Sequence, residues 1–265
     1  MRIPCYLPPM PTQFRTLIRS LLAALLAVSF VVVPASAGAF GAWAAVVVAG
    51  DYRAHSGVPA EFFDNARRDL AKALINAGFA SANVRQFSVR PGRYIDPVPL
   101  ATDYKVLTDT LDTLTQTARG GCFLYFTSHG APQGILFGEV GMPPAVMAQL
   151  VNDCCSDRPT VVIVSACYSG VFIPALADDN RMIMTAARPD RTSFGCSEDL
   201  HYTFFDQCVL ESMPNSQNFP EMAKKTQDCV AAREQKEGVS PPSEPQVFIG
   251  DGIARLLSAY PLSKN

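Results

Sequence analysis

The sequence lacks an excess of charge of either sign. Its 265 residues include 22 Lys and Arg against 24 Asp and Glu, which gives a formal net charge of -2. A protein that binds nucleic acid through the phosphates needs a basic surface, so the composition gives no electrostatic case for such a partner. The chain also contains neither a GxxxxGK[ST] nor a GxGxxG loop, so the usual phosphate-binding signatures of nucleotide-binding proteins are missing.

Metal-binding signatures are scarce as well. No CxxC pair occurs, Cys154 and Cys155 are adjacent, and the whole sequence has only three histidines. A zinc site is therefore the weaker interpretation of the cysteines, and we predict neither a metal nor a cofactor. Because histidine is so rare here, one at the end of a buried strand is a candidate for chemistry.

The N-terminal apolar run, residues 21–33, is short for a membrane-spanning helix, which needs about 20 residues. Arg15 and Arg19 precede it closely, and residues 34–37 (PASA) end in a small-x-small pattern. We therefore predict a secretory signal peptide over residues 1–37, with cleavage after Ala37. The mature protein is then secreted or periplasmic, in a bacterium, without stable membrane insertion. An uncleaved signal that anchors the chain in the inner membrane is the alternative.

Strands and helices alternate along the remaining residues, 38–265, which we interpret as one domain. The pattern predicts an α/β fold with a mostly parallel, doubly wound sheet flanked by helices. Residues 213–245 are polar and rich in proline, and we interpret them as an excursion that contains one helix. The predicted strands are 44–49, 84–89, 121–130, 159–165, 181–186 and 247–249, and the predicted helices are 59–77, 102–118, 143–152, 220–236 and 253–260.

Two of the buried strands lead into residues that can do chemistry. One ends in Ser128-His129-Gly130, and the strand after Pro159 leads into Cys167. Ligands of open α/β sheets bind at the carboxyl ends of the strands. A thiol in such a place is by itself more often a buried apolar group. An imidazole and a thiol at the ends of neighbouring strands, however, form the base and nucleophile of cysteine catalysis.

The segments around these two residues resemble the active-site motifs of the legumain-like (C13) cysteine peptidases, which belong to the caspase-like clan. The resemblance extends over residues 43–206, and its motifs are YFTSHGAPQGIL (125–136), SACYSG (165–170) and TAARPDRTSFGC (185–196). It implies a caspase-like three-layer sandwich, a protein or peptide substrate, and hydrolysis of peptide bonds through a thioester.

The resemblance also implies roles for residues of the reaction centre. Cys167 is the nucleophile, and His129 assists it and protonates the leaving amine. The backbone N–H groups of Gly130 and Cys167 form the oxyanion hole. Asp51 replaces the asparagine that orients the histidine in legumains, and its carboxylate can still accept an imidazole N–H.

The resemblance also assigns residues to a primary specificity pocket. Arg53 matches the arginine that helps to line this pocket, Thr192 and Ser193 match a pair of serines, and Asp199 or Asp206 matches a pocket aspartate. A pocket that combines Arg53 with an aspartate suits Asn, which offers one donor and one acceptor group. A pocket governed by an aspartate alone suits Lys or Arg. We expect Asn.

The chain departs from the family pattern at two positions. Tyr168 stands directly after the nucleophile, where legumains have an acidic residue of the substrate-binding site, and Ala54 is inserted before His55. These departures favour an inactive caspase-fold binding module, whereas the presence of both His129 and Cys167 opposes it. A transamidase with the same Cys-His pair is a further alternative. The predicted function is a secreted cysteine endopeptidase.

Export would permit disulfide bonds. Apart from Cys5, in the signal peptide, and Cys167, six cysteines remain and could form three pairs. Several of them could instead stay reduced and buried. The expected bonds join Cys122 with Cys154 or Cys155, and Cys208 with Cys229.

Overall fold

The computed structural model describes residues 38–156 and 158–262. The predicted signal peptide, residues 1–37, lies outside the described residues together with Cys5. No helix in the described ranges is both long and apolar enough to cross a membrane.

The described part of the chain contains ten strands and seven helices, joined by short turns. The strands are β1 (Trp43–Ala49), β2 (Val84–Ser88), β3 (Leu100–Ala101), β4 (Gly121–Thr127), β5 (Gly130–Ala131), β6 (Gly134–Phe137), β7 (Val140–Met142), β8 (Thr160–Ser165), β9 (Arg181–Thr185) and β10 (Gln246–Ile249). The helices are α1 (Phe62–Asn76), α2 (Tyr104–Thr117), α3 (Pro144–Cys155), α4 (Ile173–Leu176), α5 (Phe204–Ser212), α6 (Phe219–Glu237) and α7 (Asp251–Ala259).

The main sheet has seven strands in the order β10-β9-β8-β4-β1-β2-β3. All of its neighbouring pairs within the described residues are parallel except β9 with β10, which is antiparallel. The chain builds outward from β1 through β2 and β3 and then returns to β4 on the other side of β1. The sheet therefore reverses its winding between β1 and β4, where ligands bind in folds of this kind.

Both faces of the sheet are covered, which explains why its central strands are apolar throughout. Every residue of β1, β4 and β8 is buried, as expected of parallel strands between two helical layers. Side chains that alternate along these strands pack against α1, α5, α6 and α7 on one face and against α2, α3 and α4 on the other. The predicted doubly wound fold, a three-layer sandwich, is confirmed.

The helix boundaries follow local signals. Asp103 caps α2 by accepting a hydrogen bond from the Val106 N–H at 3.0 Å, which agrees with the predicted start. Helix α1 begins three residues after the predicted Pro59, because Pro59 and Ala60 pair with the loop after β1. The Ala60 N–H donates to the Tyr52 carbonyl, and Pro59 forms a β-bridge with Arg53.

The polar segment 213–245 contains the predicted helix, and this helix contributes to the core. Its helix, α6, buries one apolar stripe in the main core, where Phe219, Met222 and Val230 are each at most 1% exposed. A disulfide bond between Cys208 and Cys229 links α5 to α6. Lys224, Asp228 and Lys236 lie on the exposed side of α6, as in other amphipathic surface helices, whereas Glu234 is buried and accepts hydrogen bonds from the Ser243 N–H.

Two disulfide bonds are present in the described residues. Cys122 pairs with Cys155, and Cys208 pairs with Cys229, so both expected bonds are confirmed. The third pair is not formed, since Cys154, Cys167 and Cys196 are free.

Candidate active site

The register of the sheet aligns three strand ends. Ala49 of β1 is the partner of Thr127 of β4, and Thr127 is in turn the partner of Ser165 of β8. Each of the three strands ends at this aligned position, and a predicted residue of the reaction centre follows two positions later along the chain. The sheet therefore brings together, on one edge, Asp51, His129 and Cys167.

Cys167 lies in a sharp turn between β8 and a short 3₁₀ turn, Ser169–Phe172. Tyr168, which follows it, has a φ of 59°, in the left-handed region that non-glycine residues rarely adopt. The Tyr168 N–H donates to the Arg191 carbonyl at 2.8 Å and so holds this turn against the loop after β9. Strain of this kind is concentrated at functional sites.

The sulfur of Cys167 contacts one residue of that loop. The Ser193 N–H donates to Sγ at 3.3 Å, and the thiol is 3.5 Å from the Ser193 carbonyl oxygen. Two backbone groups of Ser193 therefore orient the thiol.

The His129 ring is fixed from two sides. Its Nε2 is 2.8 Å from the carbonyl oxygen of Arg53. A carbonyl can only accept, so Nε2 carries the proton and the neutral ring has its lone pair on Nδ1. Phe63, a buried residue of α1, packs against the ring in a T-shaped arrangement, with the two ring centroids 5.2 Å apart.

The predicted contact between Asp51 and the imidazole is replaced by this carbonyl bond. The buried carboxylate of Asp51 accepts hydrogen bonds from the Tyr52 N–H at 2.7 Å and from Arg53 Nε at 3.0 Å. The bond to Asp51 also raises the pKa of Arg53. Asp51 therefore fixes the segment whose main chain contacts His129, instead of contacting the ring itself.

Gly130 lies against the backbone of the nucleophile. A Cβ at this position would be 2.2 Å from the Cys167 carbonyl oxygen and 3.0 Å from the Ala166 Cβ. Only glycine allows the two strand ends to come this close. Within residues 38–156 and 158–262, the Cys167 N–H donates no hydrogen bond to the protein.

His129 and Cys167 share a cavity of about 660 Å³. Its other walls are the loop after β1 and the loop after β9, which includes the predicted residues Thr192 and Ser193. The His55 N–H donates to the Cys196 carbonyl at 3.1 Å, and the Ser56 hydroxyl bonds to Glu198, so the two loops are tied together. The lining residues are Ala54, His55, Ser56, His129, Cys167 and 192–199.

Three of the predicted substrate-binding residues do not line this cavity. Tyr168 is held in the turn described above, and Arg53 lines a neighbouring cavity together with Asp51. Asp206 is fully buried in α5, where it accepts hydrogen bonds from Tyr125 Oη at 2.6 Å and Thr127 Oγ1 at 2.7 Å. Burial raises the pKa of Asp206 above its usual value, although these hydrogen bonds oppose the shift.

The cavity contains a second free thiol, that of Cys196. Burial, together with the nearby Cys167 and Asp206, raises the pKa of Cys196 to about 12. Its thiolate is therefore rare at neutral pH, and the thiol is a poor nucleophile.

Sequence reasoning missed several contributors to this site. The Arg53 carbonyl and the Ser193 N–H act through the main chain, which leaves no signal in a side-chain pattern. In the sequence, Phe63 is indistinguishable from any other core residue of α1, and Glu198 from any solvent-exposed charged residue. In the described residues, no group of three or more His, Cys, Asp or Glu side chains is arranged to hold a metal ion.

Comparison with known proteins identifies a family and a fold. The Peptidase C13 family matches residues 94–237, which include His129 and Cys167. Caspase-1 from Spodoptera frugiperda is similar in structure, with 15% identity, a TM-score of 0.57, and coverage of 80% of this chain and 88% of that chain. The structure of pro-sf-caspase-1 is also similar, with 13% identity, a TM-score of 0.54, and coverage of 78% and 90%. No curated protein matches the sequence. The structural similarities are evidence of a shared fold.

Proposed function

The chain belongs to the peptidase C13 family, and from this premise we propose that it is an endopeptidase that cleaves proteins through a thioester on Cys167. The observation that carries the proposal is the alignment of His129 and Cys167 two residues beyond the register pair Thr127 and Ser165. Two reactive side chains that follow adjacent strand ends and line one cavity support the assignment of Cys167 as the nucleophile and His129 as its base.

The first half of the reaction forms the thioester. Nδ1 of His129 accepts the thiol proton, and Sγ of Cys167 attacks the carbonyl carbon of the peptide bond. The Cys167 N–H, which has no acceptor in the described protein, and the adjacent Gly130 N–H stabilise the oxyanion. His129 then gives its proton to the leaving amine, and the C–N bond breaks.

The second half of the reaction regenerates the enzyme. A water molecule gives a proton to Nδ1 and attacks the thioester carbon, and the carboxylic acid leaves as the proton returns to sulfur. Throughout, the Arg53 carbonyl keeps the other ring proton on Nε2, and it stabilises the imidazolium that forms in each half.

We extend the proposal to the residue before the cleaved bond, which we expect to be Asn. The hydroxyl groups of Thr192, Ser193 and Ser197 line the cavity and can donate to the oxygen of a carboxamide. Glu198 and Asp199 can accept from its NH₂ group. One observation favours a basic residue instead, because Arg53 lies outside this cavity and none of its lining residues in the described ranges is Lys or Arg.

Peptides that differ only in this residue test the proposal. We expect Asn to be cleaved fastest and Asp slowest, by at least about tenfold in kcat/KM, since Glu198 and Asp199 repel a second carboxylate. The double variant E198Q/D199N should reduce the difference in kcat/KM between the Asn and the Asp peptide. Faster cleavage after Arg would establish the basic alternative, and fastest cleavage after Asp would contradict both.

We also propose that the mature protein acts outside the cytoplasm. The predicted signal peptide and the two disulfide bonds support this independently, because such bonds persist in oxidising compartments. Mass spectrometry of the protein purified from a periplasmic fraction should find Gly38 as the first residue. A chain that keeps residues 1–37 and stays with the membrane fraction would support the anchored alternative.

A further inference from the structure

His129 borders more than the cavity that it shares with Cys167. A second cavity, of about 380 Å³, begins at His129 and Gly130 and extends over the small antiparallel sheet of β5, β6 and β7. Cys167 does not line this second cavity. Its lining residues are His129, Gly130, Ala131, Gln133, Gly134, Ile135, Leu136, Gly141 and Pro143.

The reaction determines which part of a substrate each cavity can hold. The acyl part becomes bonded to Sγ, so it must occupy the cavity that Cys167 lines. The leaving amine receives its proton from His129, so the chain that follows the cleaved bond must pass the histidine on its way out. A cavity that touches His129 and Gly130 but not Cys167 therefore lies on the leaving-group side.

The walls of this second cavity are chemically distinct. Ile135, Leu136, Ala131 and Pro143 are apolar, and apart from His129 no titratable side chain lines it. The first cavity carries Glu198 and Asp199, and a third one next to His129 carries the Asp51–Arg53 ion pair. Of the cavities at His129, this is the one suited to an apolar side chain, because burying such a group leaves no charge desolvated.

We propose that the cavity over β5, β6 and β7 binds an apolar side chain of one of the first two residues after the cleaved bond. This proposal rests on the proposed peptidase function and refines its substrate class. It concerns the leaving peptide, and it is independent of the preference for Asn before the bond.

Gly141 offers a way to fill the cavity without disturbing the fold. It is the register partner of Leu136, so a side chain at position 141 lies on the same face of the small sheet as Leu136. A Cβ there meets no atom within 4 Å, and the backbone is not left-handed. Valine also suits a strand position. Gly92 has the same open surroundings but lies in a turn outside this cavity, which makes G92V the matched control.

The experiment uses quenched fluorescent peptides that are identical up to the cleaved bond. The residue at each of the next two positions is Leu, Gly or Asp in turn, and every set is made with Asn, Arg and Asp before the bond. At one of the two positions, Leu should exceed Asp in kcat/KM by about tenfold. In G141V the ratio of kcat/KM for the Leu peptide to kcat/KM for the Gly peptide should fall towards one. In G92V this ratio should stay unchanged.

Each outcome decides the proposal. Hydrolysis without any preference at these positions overturns this inference alone, whereas no hydrolysis of any peptide overturns the peptidase function as well. A preference for Leu that persists in folded G141V shows that another surface binds the side chain. Should G141V not fold, Gln133→Lys at the exposed rim provides the second variant, and it should raise the rate for Asp relative to Leu.

Discussion

Replacing Cys167 with alanine should abolish peptide hydrolysis, with a loss of about 10⁶-fold in kcat, as expected when a catalytic nucleophile is removed. The free thiol of Cys196 should not substitute for it. Burial holds the pKa of Cys196 at about 12, and no N–H group donates to its sulfur in the described ranges. The measurement is kcat for the best peptide, with far-UV circular dichroism to confirm that the variant is folded.

Cys154→Ala is the matched control for this loss. Cys154 is also a free cysteine, but it is buried in α3, away from the catalytic cavity, and burial raises its pKa to about 11. This variant should keep the activity of the unmodified protein. Substantial activity in Cys167→Ala would refute the thioester mechanism.

Replacing Gly130 with alanine should lower kcat by about 10²-fold to 10³-fold, the range expected when an oxyanion-hole donor is lost. The new methyl group would be 2.2 Å from the Cys167 carbonyl oxygen, so the turn that holds the nucleophile must move. This displacement also moves the Cys167 N–H away from the oxyanion. We expect the loss in kcat to be much larger than any change in KM.

Gly92→Ala is the control for Gly130→Ala, because a Cβ at position 92 meets nothing within 4 Å. Thermal unfolding of both variants separates a local displacement from a general loss of stability. Near-normal activity in folded Gly130→Ala would show that the close approach of the two strand ends is not required for catalysis.

The sequence predicts the sheet and the reaction pair because both depend on strong patterns. Continuous apolar runs such as β1 and β8 are typical of strands buried on both faces. Once those strands are assigned as parallel, their carboxyl ends must share an edge, and His129 and Cys167 come together with them. This part of the site needs no detail of loop conformation.

Other parts of the structure have no comparable signal. The family resemblance assigns Asp51 as the hydrogen-bond partner of the imidazole, but the Arg53 carbonyl is the partner in the structure. A main-chain carbonyl cannot be predicted from the type of side chain, because every residue has one. The family resemblance offers Asp199 or Asp206 as the pocket aspartate, yet two hydroxyl groups on β4 bind the carboxylate of Asp206 inside the core. Helix α6 is polar in overall composition, so the sequence does not indicate that a narrow apolar stripe of this helix packs in the core.

The central claim is that Cys167 forms a covalent bond with the acyl part of a peptide. The most direct test is labelling of the folded protein with an Asn-based electrophilic peptide probe, followed by peptide mapping by mass spectrometry. The account predicts a single adduct, on Cys167, that is lost in Cys167→Ala and retained in Cys154→Ala. An adduct on Cys196 instead, or no adduct with Asn, Arg or Asp probes, would contradict it and favour a binding module with a caspase-like fold.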